Sequence, residues 1–148
     1  MTAVKLAEVP TLVGRRLGHT DWREMTQERV DRFADVTEDH NYIHVDVERA
    51  KASQFGGTIA HGYLTVSLLA PISQQLLEVT DATGVNYGMD RLRFPAPLPV
   101  GAEFRGTGEV KEVSEIKGGV QVKVLLAVEV KGSERPALIA DCLLRYYP

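Results

Sequence analysis

The chain has 148 residues, enough for one domain with an ordinary hydrophobic core and no covalent staples. Its formal net charge of -3 offers no basic footprint for nucleic acid or for an anionic membrane surface. Cys142 is the only cysteine, which excludes an intrachain disulfide and a thiolate metal cluster and suits a reducing cytosol.

In chain order, the first twenty residues carry no long apolar run after a positive start, so no signal peptide is read there and the expected location is cytoplasmic. Thr26 is a candidate N-cap for a helix that ends near Thr37, with Val30, Phe33 and Ala34 at core-facing spacing. After Asn41 a bend is expected, and "VDVERAKAS" predicts a short helix capped by Asp46 and ended by Gly56 and Gly57. Gly62 to Leu77 holds no charged residue. It is shorter than the roughly 20 residues a membrane span needs, so it reads as a helix buried on most sides, with Pro71 as a kink.

From about Val85 onward the period becomes two. In "VQVKVLLAVEV", Val120, Val122, Val124, Leu126, Val128 and Val130 form an unbroken apolar face, opposite Gln121, Lys123 and Glu129. "EFRGTGEVKEV" and "ALIADCLLRYY" repeat the pattern, set off by the turn-like "IKGG" and "KGSERP". No internal repeat, low-complexity tract or linker divides the chain, so residues 1–148 are expected to form a single domain. One buried helix with several antiparallel strands predicts an α+β fold in which a curved sheet wraps a long central helix.

The chemistry-bearing stretch is "TEDHNYIHVD". Asp39 and His44 are five residues apart, a spacing that neither regular element brings together. Five helical steps rotate about 140° beyond a full turn, and five strand steps point to opposite faces. They act on one point only across a bend, which Asn41 would hold through bonds to its own backbone. The plain alternative is a pair of solvated turn acids and a satisfied histidine. A second feature follows at "AHGYL", where Ala60 and His61 occupy the place of a capping side chain. The first N–H groups of the buried helix are then free, and Gly62 admits a ligand oxygen closely, as a developing oxyanion requires. Gly62 could equally serve only to let the chain turn tightly into the helix.

"DHNYIH" resembles the hydratase motif of the R-specific enoyl-CoA hydratases and MaoC-like dehydratases, with Asp followed by Asn two residues on and His five residues on. "GGTIAHGYL" and "RLRFPAPLPVGAEF" resemble the segments that follow it there, so the likeness spans roughly residues 20 to 105. Within that family the sequence is most similar to the branch of nodulation protein N-like proteins and mycobacterial 3-hydroxyacyl-thioester dehydratases. The resemblance implies a hot-dog fold, commonly paired as a homodimer with continuous sheets. It implies Asp39 and His44 as the catalytic pair and the Gly62 N–H as the oxyanion donor. The implied reaction is reversible hydration of a trans-2-enoyl thioester to an (R)-3-hydroxyacyl thioester, the substrate carried on coenzyme A or acyl carrier protein. Neither a metal nor a redox cofactor is implied, and which of the pair is the base stays open.

Two positions depart from the motif. Tyr42 stands where proline is common, and Ala70 where some hydratases have serine. A zinc site built from Asp39, His40, His44 and His61 is disfavoured, because His40 and His44 pair usefully only on a helix and Asn41-Tyr42 does not read as one. Arg91 and Arg93 alternate on one strand face and read as a solvated or interface face rather than as contacts for the phosphates of coenzyme A, and Ser67 reads as packing. The rival functions are a hot-dog thioesterase, which would release free thiol, and a non-catalytic acyl-thioester binding protein.

Overall fold

The computed structural model describes all residues from Met1 to Pro148. The element order is β1 (Thr2–Val4), a 3-10 helix (Leu6–Leu12), β2 (Arg16–His19), β3 (Arg23–Glu24), α1 (Gln27–Thr37), α2 (Tyr42–Val45) and α3 (Val47–Lys51). There follow α4 (Gly62–Ser67), α5 (Leu69–Leu76), β4 (Leu77–Val79), β5 (Thr83–Arg93), β6 (Glu103–Ile116), β7 (Gly119–Val130) and β8 (Leu138–Tyr147). The main sheet runs β2-β6-β7-β8-β5 with β3 added to β6, and every pairing in it is antiparallel. Register shifts in β2-β6, β6-β7 and β5-β8 mark bulges, which bend and twist a sheet. Strands β1 and β4 form a separate parallel pair that ties the start of the chain to the end of α5.

The period-two reading holds along β7: Val122, Val124, Leu126, Val128 and Val130 are buried and Val120 packs partly against the same core. The alternate residues of β8, including Leu138, Ala140, Cys142 and Leu144, add a second buried row. Thr26 caps α1 by accepting from the Arg29 N–H at 3.3 Å, and Asp46 caps α3 by accepting from the Arg49 N–H at 3.0 Å. Helix α3 ends at Lys51, before the two glycines, with the Ala52 N–H already turned back to the Arg49 carbonyl.

The central helix consists of two consecutive segments, α4 and α5, rather than one uninterrupted rod. The cause is local. Pro71 has no N–H for the Ser67 carbonyl and its ring crowds that carbonyl, so the turn at Leu68 loosens. There the Leu68 N–H is shared between the carbonyls of Leu64 and Thr65, at 3.2 and 3.3 Å. Helix α5 lies against β6 at Gly106 and Gly108, where Ile72 and Leu76 occupy the space that side chains would need. The two glycines set how near the helix comes to the sheet. No helix is long and apolar enough to cross a membrane.

Candidate active site

Helix α1 stops where Glu38 takes a left-handed conformation, φ 64°, which reverses the chain before Asp39. The bend expected at Asn41 is present. Its Oδ1 accepts from the Ile43 N–H at 3.4 Å, and Asp39 Oδ1 accepts from the Asn41 N–H at 3.3 Å. Asn41 thereby caps a single helical turn, α2, over Tyr42–Val45, a stretch that the sequence did not mark as helical. Four residues are too few for a periodic signal, and the turn is held from outside. Gln27 of α1 donates to the His44 carbonyl at 2.7 Å and accepts from the Thr58 hydroxyl at 2.6 Å. The Ile59 N–H bonds the Ile43 carbonyl and the Ala60 N–H bonds the Leu98 carbonyl, so residues 58 to 60 strap α2 to the "FPAPLP" loop.

Within this frame Asp39, His44 and His61 converge, each with a ligand-type atom within 4.8 Å of the others. His40 does not join them. Its ring turns to Asp35 at 2.9 Å on the surface. His44 is buried and its Nδ1 lies 2.7 Å from the Ile59 carbonyl. A carbonyl only accepts, so Nδ1 carries the proton and Nε2 is left as the acceptor of the neutral ring. His61, 1% exposed, stacks on His44 with ring centres 3.9 Å apart, and its Nε2 donates to the Asp39 carbonyl at 2.9 Å. One side chain therefore touches both members of the pair. The sequence signal was the histidine at the uncapped start of an otherwise uncharged helix, and nothing local says that it reaches back to residue 39.

Burial pushes His44 below its ordinary value of 6.5; the Ile59 carbonyl opposes that shift, the neighbouring His61 adds to it, and Asp39 opposes it. The sign of the consequence is fixed. The unfolded chain takes up this proton near 6.5 and the folded chain only at lower pH, so stability falls as the pH drops from there through the depressed value, and this group has no effect well above it. Urea unfolding at about pH 7.5 and about pH 5.5 should show a larger acid loss in the wild type than in His44→Gln, which cannot titrate. Equal losses would contradict the assignment.

Helix α4 starts at Gly62 without a side-chain cap, as the sequence suggested. A Cβ at Gly62 would lie 3.1 Å from Phe94 Cζ, so that ring would have to give way to any larger residue. His44, Gly62, Thr65, Phe94 and Pro97 line one cavity of about 390 Å³. Two further cavities, of about 210 and 540 Å³, follow along α5 beside β5 and β8 and share Ala70, Ser73, Asn86 and Leu144. Tyr42 lies outside this line, beneath the Arg49 guanidinium at 3.9 Å. Arg91 pairs with Asp141 at 3.2 Å, and Ser67, expected to pack, is instead exposed and bonds back to the Leu64 carbonyl at 2.7 Å.

A curved antiparallel sheet against a central helix, with a histidine pocket at the start of that helix, is the hot-dog arrangement. Residues 8–131 match the model of the MaoC like domain, and the chain belongs to that family. It is 44% identical over 147 residues to 3-hydroxyacyl-thioester dehydratase Z of Mycobacterium tuberculosis, covering 98% of this chain and 97% of that protein. It is 41% identical over 145 residues to nodulation protein N of Rhizobium leguminosarum bv. viciae, covering 95% and 90%. Among solved structures, the (R)-hydratase from A. caviae involved in PHA biosynthesis superposes with a TM-score of 0.76 at 26% identity, covering 92% of this chain and 96% of that one. The chain is an enzyme of the hydratase and dehydratase class.

Proposed function

We propose that this enzyme adds water reversibly to a trans-2-enoyl thioester, giving the (R)-3-hydroxyacyl thioester, without a metal or redox cofactor. The observation that carries the reading is the buried His44, whose Nδ1 is committed to the Ile59 carbonyl, leaving Nε2 as the acceptor, with a ring nitrogen within 4.8 Å of the Asp39 carboxylate. In this mechanism the pair holds one water. Its oxygen adds to the β-carbon, one of its protons is delivered to the α-carbon on the same face, and the Gly62 N–H stabilises the enolate oxygen between the steps. Asn41 fixes the bend and His61 fixes both partners. The thioester lies in the cavity at Gly62, and the acyl chain extends along α5 into the cavities beside β5. Likeness to a 3-hydroxyacyl-thioester dehydratase over almost the whole chain supports the substrate class.

The test follows the ultraviolet absorbance of crotonyl-CoA and of a longer enoyl-CoA, with free thiol monitored in parallel. The expected result is loss of enoyl absorbance without thiol. Thiol release would instead indicate a thioesterase, and no turnover of either kind a binding protein.

We also propose a homodimer. Strand β5 pairs only with β8, so its other edge carries unpaired backbone groups, and Val85, Tyr87 and Met89 along it are exposed. Sedimentation at micromolar concentration should give twice the mass of the chain, and a monomer there would count against the pairing.

A further inference from the structure

His61 occupies a place in the core that a hydrocarbon ring would fill more favourably. It is 1% exposed and lies between two rings, with Phe33 at 4.9 Å and His44 at 3.9 Å from centre to centre. Its Nε2 is 2.9 Å from the Asp39 carbonyl, which only accepts, so Nε2 carries a proton. Nδ1 is closed off from solvent and has no hydrogen-bond partner. In the neutral ring that atom is an acceptor without a donor, and in the charged ring a donor without an acceptor; either is destabilising when buried. Phenylalanine would keep the contacts with Phe33 and His44 and leave no polar atom unpaired.

What the imidazole supplies and a phenyl ring does not is the Nε2–H bond to residue 39, across 22 positions of chain. Asp39 needs such an anchor. The last buried residue of α1 is Ala34 and the next buried one is His44, while residues 35 to 41 are all exposed. The bonds at Asn41 turn this segment but join it only to itself. His61 also stacks on His44 and directly precedes Gly62, so the places of Asp39, His44 and the Gly62 N–H depend on one another through it.

We propose that His61 is a positioning residue for the hydration chemistry. Its Nε2–H bond holds Asp39 at the distance from His44 at which one water serves both, and the chain keeps this bond at a cost in stability. The proposal rests on the Asp39-His44 mechanism and adds the group that sets its geometry. A merely structural contact would behave differently, since its removal would lower stability and would lower the rate only through loss of folded protein.

The experiment compares His61→Phe, which keeps a ring and loses the donor, with His61→Gln, whose amide restores a donor toward residue 39. Thermal unfolding and the hydration of crotonyl-CoA are measured on the full chain. In His61→Phe, kcat should fall about 10²-fold while the unfolding temperature stays level or rises. KM should not change, because His61 does not line the cavity at His44 and Gly62. His61→Gln should recover kcat to within about tenfold of the wild type. If the Phe variant is too bulky to fold, His61→Leu removes the donor in a smaller volume. A Phe or Leu variant with the wild-type kcat overturns the proposal, and so does one that loses rate only in step with folded protein. Hydrogen exchange at the Asn41 and Ile43 N–H groups reads the bend with no substrate present. It should quicken about tenfold in His61→Phe and slow again in His61→Gln. A wild type that hydrates no enoyl thioester would sink the mechanism itself, and the exchange would still decide whether His61 holds the Asp39 segment; unchanged exchange overturns that.

Discussion

Asp39→Asn and His44→Gln should each lower the rate of enoyl-thioester hydration by about 10²–10⁴, which corresponds to roughly 3–5 kcal/mol in the barrier. The reason lies in the division of labour at one water. Asparagine preserves the size of Asp39 and its bond with the Asn41 N–H but supplies no carboxylate. Glutamine retains a donor for the Ile59 carbonyl but no basic nitrogen. The fold should therefore survive both changes, as circular dichroism and an unchanged unfolding midpoint near neutral pH would show. Because the two groups act as a unit, the double variant should be little worse than either single one, since the second loss removes a partner that no longer works. A single variant that keeps its rate within a few-fold of the wild type would remove that residue from the mechanism.

Gly106→Ala should destabilise the protein by about 1–3 kcal/mol, although alanine is the better strand residue by ordinary propensity. A Cβ there would stand 2.8 Å from Ile72 Cγ1 and Cδ1 and closer still to Cγ2. Ile72 is fully buried and branched at Cβ, so it has no free rotamer into which to retreat. Either α5 lifts from β6 or the side chain strains, and both disturb the packing beside the cavities along the helix. For a chain of this size the unfolding temperature should fall by about 2–12 °C. Ile72→Ala creates a cavity and is costly alone, yet combined with Gly106→Ala the total should be clearly less than the sum. Strict additivity would mean that the two positions do not compete for the same space.

Much of this was legible from residues in order. The alternation of Val122, Val124, Leu126 and Val128 marked a strand with one buried face, and the uncharged run from Gly62 to Leu77 marked a helix covered on most sides. The caps Thr26 and Asp46 and the Asn41 bend were readable because their bonds span two or three residues. The helical turn at Tyr42 was not, because Gln27 and the strap at Ile59 hold it from distant parts of the chain. The Leu68 break followed from Pro71, but proline states only that a carbonyl goes unbonded, and packing decides how the helix relaxes.

Sequence alone thus determined the long strands of the second half, the capped starts of α1 and α3, the α+β class and the Asp39-His44 spacing, all properties of neighbours along the chain. Tertiary structure decided that His61 reaches back to Asp39 and covers His44, and that His40 turns away to Asp35. These depend on contacts between residues 5 to 22 positions apart, whose approach is set by the burial of the core rather than by any local preference.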